Sequence, residues 1–259
     1  MNYEYISIEV KERVRYITLN RVDKRNAFNH QFVTELKHAF VEAEEATDTK
    51  IIVLRANGDV FSAGADLQYL QSLQKNTLEE NWADSQHLKE LYQHMYKHKK
   101  VIIAQVEGHA IAGGCGLATV ADFTFAVPEA QFGYTEVKIG FVPAIVMVFL
   151  LRKVGETKAK ELLLTGKLIS AQTAKDMGII METVAKDSIQ EYVFNFAQQL
   201  CKETSAESLS LTKSMISDVQ NMPDEEALNF ASEMNAKARA TDDCKKGIAS
   251  FLAKEKLVW

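Results

Sequence analysis

The pattern of apolar and polar positions divides the chain into an opening hairpin, a middle part of mixed elements and a helical end. Residues 3–10 alternate between apolar and polar side chains, as a half-buried strand does, and residues 14–19 can return as a second strand after a turn at 11–13. Between residues 30 and 46 the apolar side chains recur at three- and four-residue spacing, which predicts an amphipathic helix. The chain therefore begins with a β-hairpin and a helix.

The order of strand, strand and helix returns further along the chain. Apolar runs at residues 51–55, 101–106 and 123–127 predict short buried strands. Residues 87–95 have helical periodicity, whereas residues 71–86 are polar with little periodicity and predict a mobile or surface segment. Because no G-x-G-x-x-G follows an early strand, an α/β fold of repeated ββα units is favoured over a doubly wound dinucleotide-binding sheet.

Beyond Pro143 the pattern is nearly all helical. Helices are predicted over residues 144–154, 157–165, 171–177, 188–201, 206–219 and 224–253, the last with a break near Thr241. Ser170 and Asp224 have the side chains and positions of helix N-caps. The longest apolar run, residues 141–151, is too short to span a bilayer and predicts a buried helix. We place the α/β core at residues 1–190 and a C-terminal helical region at residues 191–259.

The composition is that of an ordinary globular protein. Of the 259 residues, 47% are hydrophobic and 25% are charged. The net charge of −5, without any block of Lys and Arg, argues against a nucleic-acid partner. We predict no membrane partner, because no targeting pattern and no apolar segment of spanning length is visible. Cys115, Cys201 and Cys244 lack the spacing of disulfides or of a zinc site, which predicts reduced thiols in a cytosolic or organellar matrix compartment. Of these two locations we predict the cytoplasm.

Three segments carry candidate chemistry. AGGC, at residues 112–115, follows an apolar strand, and its glycines let the backbone approach a ligand and leave N–H groups free at the start of a helix. In FSAGADL, at residues 61–67, Gly64 permits an unusual backbone angle, so the N–H of Ala65 can point into a site. The loop after the next strand carries a single carboxylate, Glu136. Together these segments predict a cradle for an oxyanion beside an acid/base group.

The three segments, in this order, resemble those of the enoyl-CoA hydratase/isomerase (crotonase) superfamily, with GYTE at residues 133–136 as the acid/base segment. The resemblance runs from the N-terminal strands to the C-terminal FLAKEKLVW. It implies a crotonase-like spiral of ββα units whose C-terminal helices form a trimerisation region, and hence a homotrimer or a hexamer. It also implies an acyl-CoA substrate, with coenzyme A as part of the substrate and no separate cofactor.

The same resemblance assigns roles to individual residues. The amides of Ala65 and Gly113 would hold the thioester carbonyl oxygen, and Glu136 would be the acid/base group. Desolvation beside Phe132, Tyr134 and Phe141 would raise the pKa of Glu136 toward working pH. Tyr134 is either a pocket wall or a hydroxyl donor. The substrate-contacting positions implied are Lys24, Arg25, Ala27, Ala63, Gly64, Asp66, Leu67, Gly114, Gly116 and Tyr134.

Other charged side chains leave alternatives open. Arg21, Lys24 and Arg25 could meet the phosphates of CoA or could be exposed loop charges. His94 and His98 are separated by one helical turn, a spacing that suits a metal ion. The sequence arranges no carboxylate or cysteine around them in the manner of H-E-x-x-H, so we predict no metal site.

Two departures from the family pattern bear on the reaction. Gly116 stands where the best-known hydratases carry a second glutamate, and in those enzymes the pair binds the attacking water. With one carboxylate left, hydration by Glu136 and water alone, double-bond isomerisation and another enolate reaction such as decarboxylation stay open. PAIVM, at residues 143–147, replaces a glycine cluster and resembles a branch assigned to methylglutaconyl-CoA hydration in leucine breakdown. Asp122 flanks the central stretch and is interpreted as bracing a strand end.

These features favour an enzyme that hydrates a 2-enoyl-CoA, with a branched acyl chain as one option. An isomerase that converts 3-enoyl-CoA to 2-enoyl-CoA is the alternative within the family, because one carboxylate suffices to move a proton between carbons. A non-catalytic protein that binds acyl-CoA is the alternative of another class, and retention of Glu136 argues against it. Ser62 is not in a G-x-S-x-G elbow, so a serine hydrolase is not supported.

Overall fold

The computed structural model describes residues 2–259, which form ten β-strands and ten α-helices. The strands are β1 (Ile6–Lys11), β2 (Val14–Leu19), β3 (Ile51–Ala56), β4 (Val60–Ser62), β5 (Val101–Val106), β6 (His109–Ile111), β7 (Phe123–Ala126), β8 (Gln131–Gly133), β9 (Ile169–Ser170) and β10 (Glu182–Thr183). The helices are α1 (His30–Glu45), α2 (Leu67–Leu73), α3 (Leu78–Lys97), α4 (Gly113–Val120), α5 (Ala144–Thr165), α6 (Ala171–Met177), α7 (Ile189–Glu203), α8 (Ala206–Val219), α9 (Asp224–Ala240) and α10 (Asp242–Ala253).

The strands form two sheets, and the strands from β3 to β8 alternate between them. The larger sheet has the order β1-β2-β3-β5-β7-β10, and the smaller has the order β4-β6-β8-β9. In each of the pairs β3/β4, β5/β6 and β7/β8, the first strand belongs to the larger sheet and the second belongs to the smaller one. Strands β2, β3, β5 and β7 are parallel in the larger sheet, and β4, β6 and β8 are parallel in the smaller one. The chain therefore winds as a spiral of strand pairs and helices, which confirms the predicted fold class.

Burial on both faces explains why the central strands are almost entirely apolar. Every residue of β5 is buried, and so are the first four residues of β3. Parallel strands covered by helices need such continuous apolar runs. One cover is α7, which packs against β2, β3, β5 and β7 through an apolar face that includes Ile189, Val193 and Ala197.

Residues 71–86 lie largely at the surface, but much of the segment is helical rather than irregular. Helix α3 begins at Leu78 with a capping box, in which Glu80 N donates to Thr77 Oγ1 (3.2 Å) and Thr77 N donates to Glu80 Oε2 (2.8 Å). This T-x-x-E pattern is readable in the sequence and outweighs the weak apolar periodicity of the first turns. Ser170 caps α6 as predicted, whereas the cap predicted at Asp224 is wrong, because α9 already begins there and Pro223 precedes it.

The apolar run at residues 141–151 begins helix α5, but the prediction that it is buried is wrong. Val142 is 60% exposed and Val148 is 44% exposed. In the first half of α5, Val146 and Leu150 are buried, and the helix packs on α4 and α3. Apolar side chains on the other faces remain uncovered in the single chain.

The C-terminal part of the fold is more open than the rest. Helices α9 and α10 contain no buried residue within the described chain, and the break between them at Thr241 confirms the prediction. The boundary at residue 190 stays a prediction, since α7 begins at Ile189 and packs on the larger sheet. None of the helices in residues 2–259 combines the length and the apolar character that crossing a membrane requires.

Candidate active site

The parallel strands of the smaller sheet bring the three candidate motifs to one place. Ala65 follows the end of β4 by three residues, Gly113 follows β6 by two and Glu136 follows β8 by three. The strands β4, β6 and β8 are parallel neighbours. Their carboxyl ends therefore meet at the same edge of the sheet, where ligands commonly bind in α/β folds.

The two predicted donor loops touch each other. Gly64 has φ of +84°, and a Cβ built there would lie 2.6 Å from the Cβ of Ala112 and 3.2 Å from the nitrogen of Gly113. Only glycine fits this position. Across residues 2–259, neither Ala65 N nor Gly113 N donates a backbone hydrogen bond to another residue. Two N–H groups without a backbone partner thus lie on adjoining loops, and their role as an oxyanion cradle stays a prediction.

The segment at residues 21–28 holds the Ala65 loop in place. Phe28 N donates to Gly64 O (2.7 Å), and Asp66 N donates to Phe28 O (2.8 Å). Arg21 is buried and forms an ion pair with Asp66 at 2.9 Å, so it is neither an exposed charge nor free to meet a phosphate. Burial works to raise the pKa of Asp66, but the hydrogen bonds from Arg21 and the backbone hold that pKa below its usual value.

Ala112 enters α4 in a strained conformation. Its φ of 51° and ψ of −124° are sparsely populated for a residue with a Cβ. Ala112 N donates to Gly133 O (2.7 Å), and Gly116 N donates to Ala112 O (3.1 Å). Because Ala112 O and Gly113 N belong to one peptide group, the second bond fixes the direction of the candidate donor.

The far end of α4 is stabilised by a lysine of α5. Lys153 Nζ donates to Thr119 O (2.8 Å) and to Ala121 O (3.0 Å). A cation at a helix C-terminus is favourable to the helix dipole. Burial lowers the pKa of Lys153 to about 8, although the charge of Asp122 works in the opposite direction. At the N-terminal end of α4, the positive end of the dipole faces the cradle.

Glu136 lies in a 3-10 turn and is partly buried. Its Oε2 is inaccessible and has no hydrogen-bond partner among the described residues. Burial raises the pKa of the Glu136 carboxyl above its usual value. A hydrogen bond from its own backbone N–H lowers the pKa, but by less than burial raises it. Buried polar atoms are nearly always paired, and a buried carboxylate oxygen without a partner is a mark of a functional group.

The space beside Gly116 is already filled. A Cβ built at Gly116 would lie 2.3 Å from Val146 Cγ1 and 3.1 Å from Tyr92 Cε1. Val146 on α5 and Tyr92 on α3 therefore occupy the place where a second carboxylate would project. Neither residue is recognisable in this role from the sequence, because both reach the site across long stretches of chain.

The hydroxyl of Tyr134 is engaged inside the protein, which favours the pocket-wall role over the donor role, and that role stays a prediction. It is fully buried, and its hydroxyl shares a hydrogen bond of 2.7 Å with Thr119 Oγ1. Behind it lies Cys115, and burial raises the pKa of this thiol to about 12. Cys115 is therefore an inert thiol, and all three cysteines are unpaired.

The remaining predicted contact residues divide by exposure. Lys24, Arg25 and Leu67 are exposed, and Lys24 Nζ donates to Gln68 Oε1 at 3.3 Å. Ala27, Gly64, Asp66, Gly114 and Gly116 are buried, whereas Ala63 and Ala65 are partly exposed. Gly114 is packed against Ser62, whose carbonyl oxygen would lie 2.4 Å from a Cβ at residue 114. Contact of these residues with substrate stays a prediction.

The paired histidines do have a carboxylate beside them. Glu44 of α1 lies next to His94 and His98, with one possible ligand atom of each within 4.8 Å of the others. Both ring nitrogens of His98 are already used, because Lys100 N donates to Nδ1 (3.0 Å) and Nε2 lies 3.0 Å from Phe40 O. Burial lowers the pKa of His98 to about 4, so the ring is neutral. The expectation of no metal site stays a prediction.

Asp122 braces a strand end, as predicted. Ile102 N donates to Asp122 Oδ2 (2.7 Å), and Lys213 Nζ lies 2.6 Å from the same oxygen. The carboxylate thus joins the start of β5 to helix α8 and lies outside the cradle.

Known proteins with the same organisation place the chain in a family. The profile of the enoyl-CoA hydratase/isomerase family matches residues 9–259. A Thermus thermophilus protein classed among the enoyl-CoA hydratases is 38% identical over 94% of this chain and 96% of its own length. The mitochondrial enoyl-CoA hydratase of Pongo abelii is 34% identical over 98% of this chain and 87% of its own.

A solved structure agrees with these relatives. The crystal structure of an enoyl-CoA hydratase from Shewanella pealeana superimposes with a TM-score of 0.93 at 29% identity, over 99% of this chain and 96% of the other. Sequence and fold agree over almost the whole length. The chain belongs to the enoyl-CoA hydratase/isomerase family.

Proposed function

We propose that this protein hydrates a 2-enoyl-CoA. The observation that carries the proposal is the unpaired, buried Oε2 of Glu136 at the strand edge that also presents the free amides of Ala65 and Gly113. This combination supplies one proton-transfer group and two donors for a developing negative charge. Coenzyme A enters only as part of the substrate.

The amides act on the thioester carbonyl. Its oxygen accepts hydrogen bonds from Ala65 N and Gly113 N, and negative charge gathers on that oxygen as the reaction proceeds. In comparable oxyanion holes the loss of one donor costs about 3 kcal/mol of transition-state stabilisation. The N-terminus of α4, which begins at Gly113, adds a favourable dipole.

Glu136 moves the protons. As a carboxylate it takes a proton from water while the water oxygen bonds to C3 of the enoyl group, and the electron pair of the double bond passes to the carbonyl oxygen as an enolate. The carboxyl group then returns the proton to C2, so one water is added and Glu136 is regenerated. A raised pKa suits a group that must both accept and release a proton near neutrality.

Isomerisation is the second candidate function, and the filled space beside Gly116 favours it. Val146 and Tyr92 leave no room for a second carboxylate to bind water between two acids. One carboxylate can take a proton from C2 of a 3-enoyl-CoA and deliver it to C4. The product is the conjugated 2-enoyl-CoA, and no water is consumed.

The acyl preference and the assembly belong to the same proposal. We infer a branched acyl chain of the methylglutaconyl-CoA kind, since bulky residues at 145–147 replace a glycine cluster at the acyl end.

We also infer a homotrimer or a hexamer. Support for it comes from the exposed apolar residues Ile248, Phe251 and Leu252, which share one face of α10. The cytoplasmic location remains a prediction.

The test is to incubate the protein with 3-methylglutaconyl-CoA, crotonyl-CoA and 3-hexenoyl-CoA and to follow the products by mass and chromatography. A gain of one water supports hydration and ranks the acyl chains. An unchanged mass with a shifted double bond makes the protein an isomerase. Tight CoA binding without turnover of any substrate would refute both and favour a non-catalytic acyl-CoA-binding protein.

The role of Glu136 is tested in the same assay. Glu136→Gln removes the proton-transfer group and keeps the shape, so we expect turnover to fall by about 10² to 10⁴ while binding of the CoA ester is largely kept. Glu129→Gln, an exposed glutamate on the preceding loop, is the matched control and should retain full activity. Full activity of Glu136→Gln would contradict the site assignment.

A further inference from the structure

The hydroxyl of Tyr92 is a buried polar group next to the candidate oxyanion donor. Tyr92 lies on α3 and is fully buried, and its hydroxyl donates to the carbonyl oxygen of Gly113 at 2.7 Å. We propose that Tyr92 is a positioning residue of the oxyanion hole, which holds the first turn of α4 so that Gly113 N points at the thioester carbonyl. This inference rests on the function proposed above.

Three hydrogen bonds hold the turn that carries the donor, and only one of them comes from a side chain. Gly133 O accepts from Ala112 N, and Ala112 O accepts from Gly116 N. The third bond runs from Tyr92 to Gly113 O. The two backbone bonds survive almost any substitution, so Tyr92 is the point at which the anchoring of the donor can be altered by mutation.

The turn needs such an anchor because its backbone is strained. Ala112, with φ of 51° and ψ of −124°, would gain free energy by rotating the Ala112–Gly113 peptide toward a common conformation. Such a rotation would turn Gly113 N away from the site. Gly113 has no side chain to resist it, and Phe28 and Tyr92 occupy the space where its Cβ would be, at 2.8 Å and 3.2 Å. The hydrogen bond from Tyr92 to Gly113 O fixes the following peptide group, Gly113–Gly114, and so opposes the rotation.

Tyr92 acts through Gly113 and touches no substrate. Its side chain is inaccessible in the folded chain, so a ligand in the cradle cannot reach the hydroxyl. Burial raises the pKa of Tyr92 well above its usual value, and the charges of Glu136 and Cys115 raise it further. The phenol therefore stays protonated throughout the pH range of an assay and remains a hydrogen-bond donor.

The kinetic test compares two tyrosines on one helix. Tyr92→Phe keeps the ring that packs near Phe149 and removes only the hydroxyl. We expect kcat to fall about tenfold, less than for outright loss of a donor, with KM within about twofold. Tyr96→Phe is the control, because Tyr96 also packs on Phe149 but its buried hydroxyl has no hydrogen-bond partner among the described residues. Its kcat should stay at the wild-type value.

A spectroscopic measurement separates positioning from general loosening of the fold. Cinnamoyl-CoA, bound to protein carrying Glu136→Gln so that it is not turned over, absorbs at longer wavelength when its carbonyl is polarised by the oxyanion donors. Adding Tyr92→Phe should reduce that shift at saturating ligand, whereas adding Tyr96→Phe should leave it intact. The shift is a property of ligand that is bound to folded protein. Partial unfolding of a variant therefore lowers the amount of bound ligand but does not reduce the wavelength shift.

The outcomes distinguish this inference from the proposed function. If the wild type turns over an enoyl-CoA and Tyr92→Phe leaves both kcat and the spectral shift unchanged, the role of Tyr92 is overturned and the proposed function stands. If cinnamoyl-CoA binds without any shift and no substrate is turned over, there is no working oxyanion hole, and both are overturned. A reduced shift together with a reduced kcat supports both.

Discussion

At the scale of single residues, Glu136 shows how a candidate catalytic group is maintained at a cost in stability. Its Oε2 is buried without a partner, and desolvation is the main cause of its raised pKa. A structural glutamate in this fold behaves differently: Glu35 of α1 is fully buried, but its two oxygens accept hydrogen bonds from Glu4 N and Tyr5 N. The contrast supports the proposed role of Glu136 as the proton-transfer group.

The raised pKa of Glu136 predicts how the difference in stability between the wild type and Glu136→Gln depends on pH. Between the ordinary carboxyl pKa of 4.5 and the higher folded value, the folded state binds more protons than the unfolded state, so this group lowers the free energy of unfolding as pH rises. Glu136→Gln removes the buried charge. It should therefore raise Tm relative to wild type at pH 7 to 8.

The gain from Glu136→Gln should shrink as the pH is lowered toward 4.5 and disappear below it, where the wild-type carboxyl becomes neutral in both states. The measurement is thermal unfolding of both proteins across this pH range. Glu129→Gln, on an exposed loop, supplies the baseline. A Tm difference that does not change with pH would contradict the assignment of a raised pKa to Glu136.

At the scale of secondary-structure elements, helix α4 links the site to the rest of the fold. Its N-terminus carries the donor at Gly113, and its C-terminal carbonyls accept hydrogen bonds from Lys153. Its side packs on α5 where Gly116 meets Val146. The absence of a side chain at Gly116 therefore matches the space that Val146 fills. The place of a second carboxylate is occupied by packed side chains and is not an empty cavity.

This packing predicts the response to substitution at Gly116. Gly116→Ala forces a methyl group into Val146 and should destabilise the protein by about 1–3 kcal/mol, although alanine is the better helix former. In the background of Val146→Ala the same change should cost much less. A double-mutant cycle by urea unfolding measures this coupling.

Gly247→Ala is the matched control for this cycle. Gly247 is also in a helix, α10, and a Cβ there would meet Trp259 at an ordinary 3.4 Å. It should stabilise the protein by about 0.5–1 kcal/mol. Equal effects of Gly116→Ala with and without Val146 would disprove the complementarity. For the same steric reason, restoring a carboxylate with Gly116→Glu requires a smaller residue at 146.

At the scale of the whole molecule, two groups of exposed apolar residues lie on the C-terminal helices and around the start of α5. The α10 positions Ile248, Phe251 and Leu252 are 55%, 84% and 76% exposed, and α9 has no buried residue among those described. Val142, just before α5, and Val148, in its first half, are exposed as well. Large uncovered apolar surfaces on a folded chain are typical of interaction surfaces. They fit the proposed self-association.

The proposed assembly is tested by substitution on the exposed face of α10. The wild type should have a mass three or six times that of the chain in light scattering after size exclusion. Phe251→Asp places a charge in the proposed interface and should reduce the mass while the helical circular dichroism is kept. Leu78→Asp, at an equally exposed apolar residue of α3, should not. A monomeric wild type would refute the proposal.

The sequence by itself determined the local elements and the order of the motifs. Periodicity predicts α1, β3, β5 and α7, because each buries one face or both faces along its own length. The same helical spacing predicts α9 and α10, although neither contains a buried residue. The break of α5 at Gly155, with φ of 76°, agrees with the two helices predicted there. Gly64, Ala65, Gly113 and Glu136 are likewise readable, since each follows a short strand in a recognisable segment.

Only the tertiary structure decided which residues meet. The three-residue strands β4, β6 and β8 are too short for any periodicity to reveal them, yet their parallel pairing assembles the site. The pairs Arg21 with Asp66, Tyr92 with Gly113 and Val146 with Gly116 join residues that are 21 to 45 positions apart. The physical reason is that burial, an unpaired carboxylate oxygen and steric exclusion all depend on which residues pack together. The residues that pack around a position are distant in sequence, so the local sequence does not identify them.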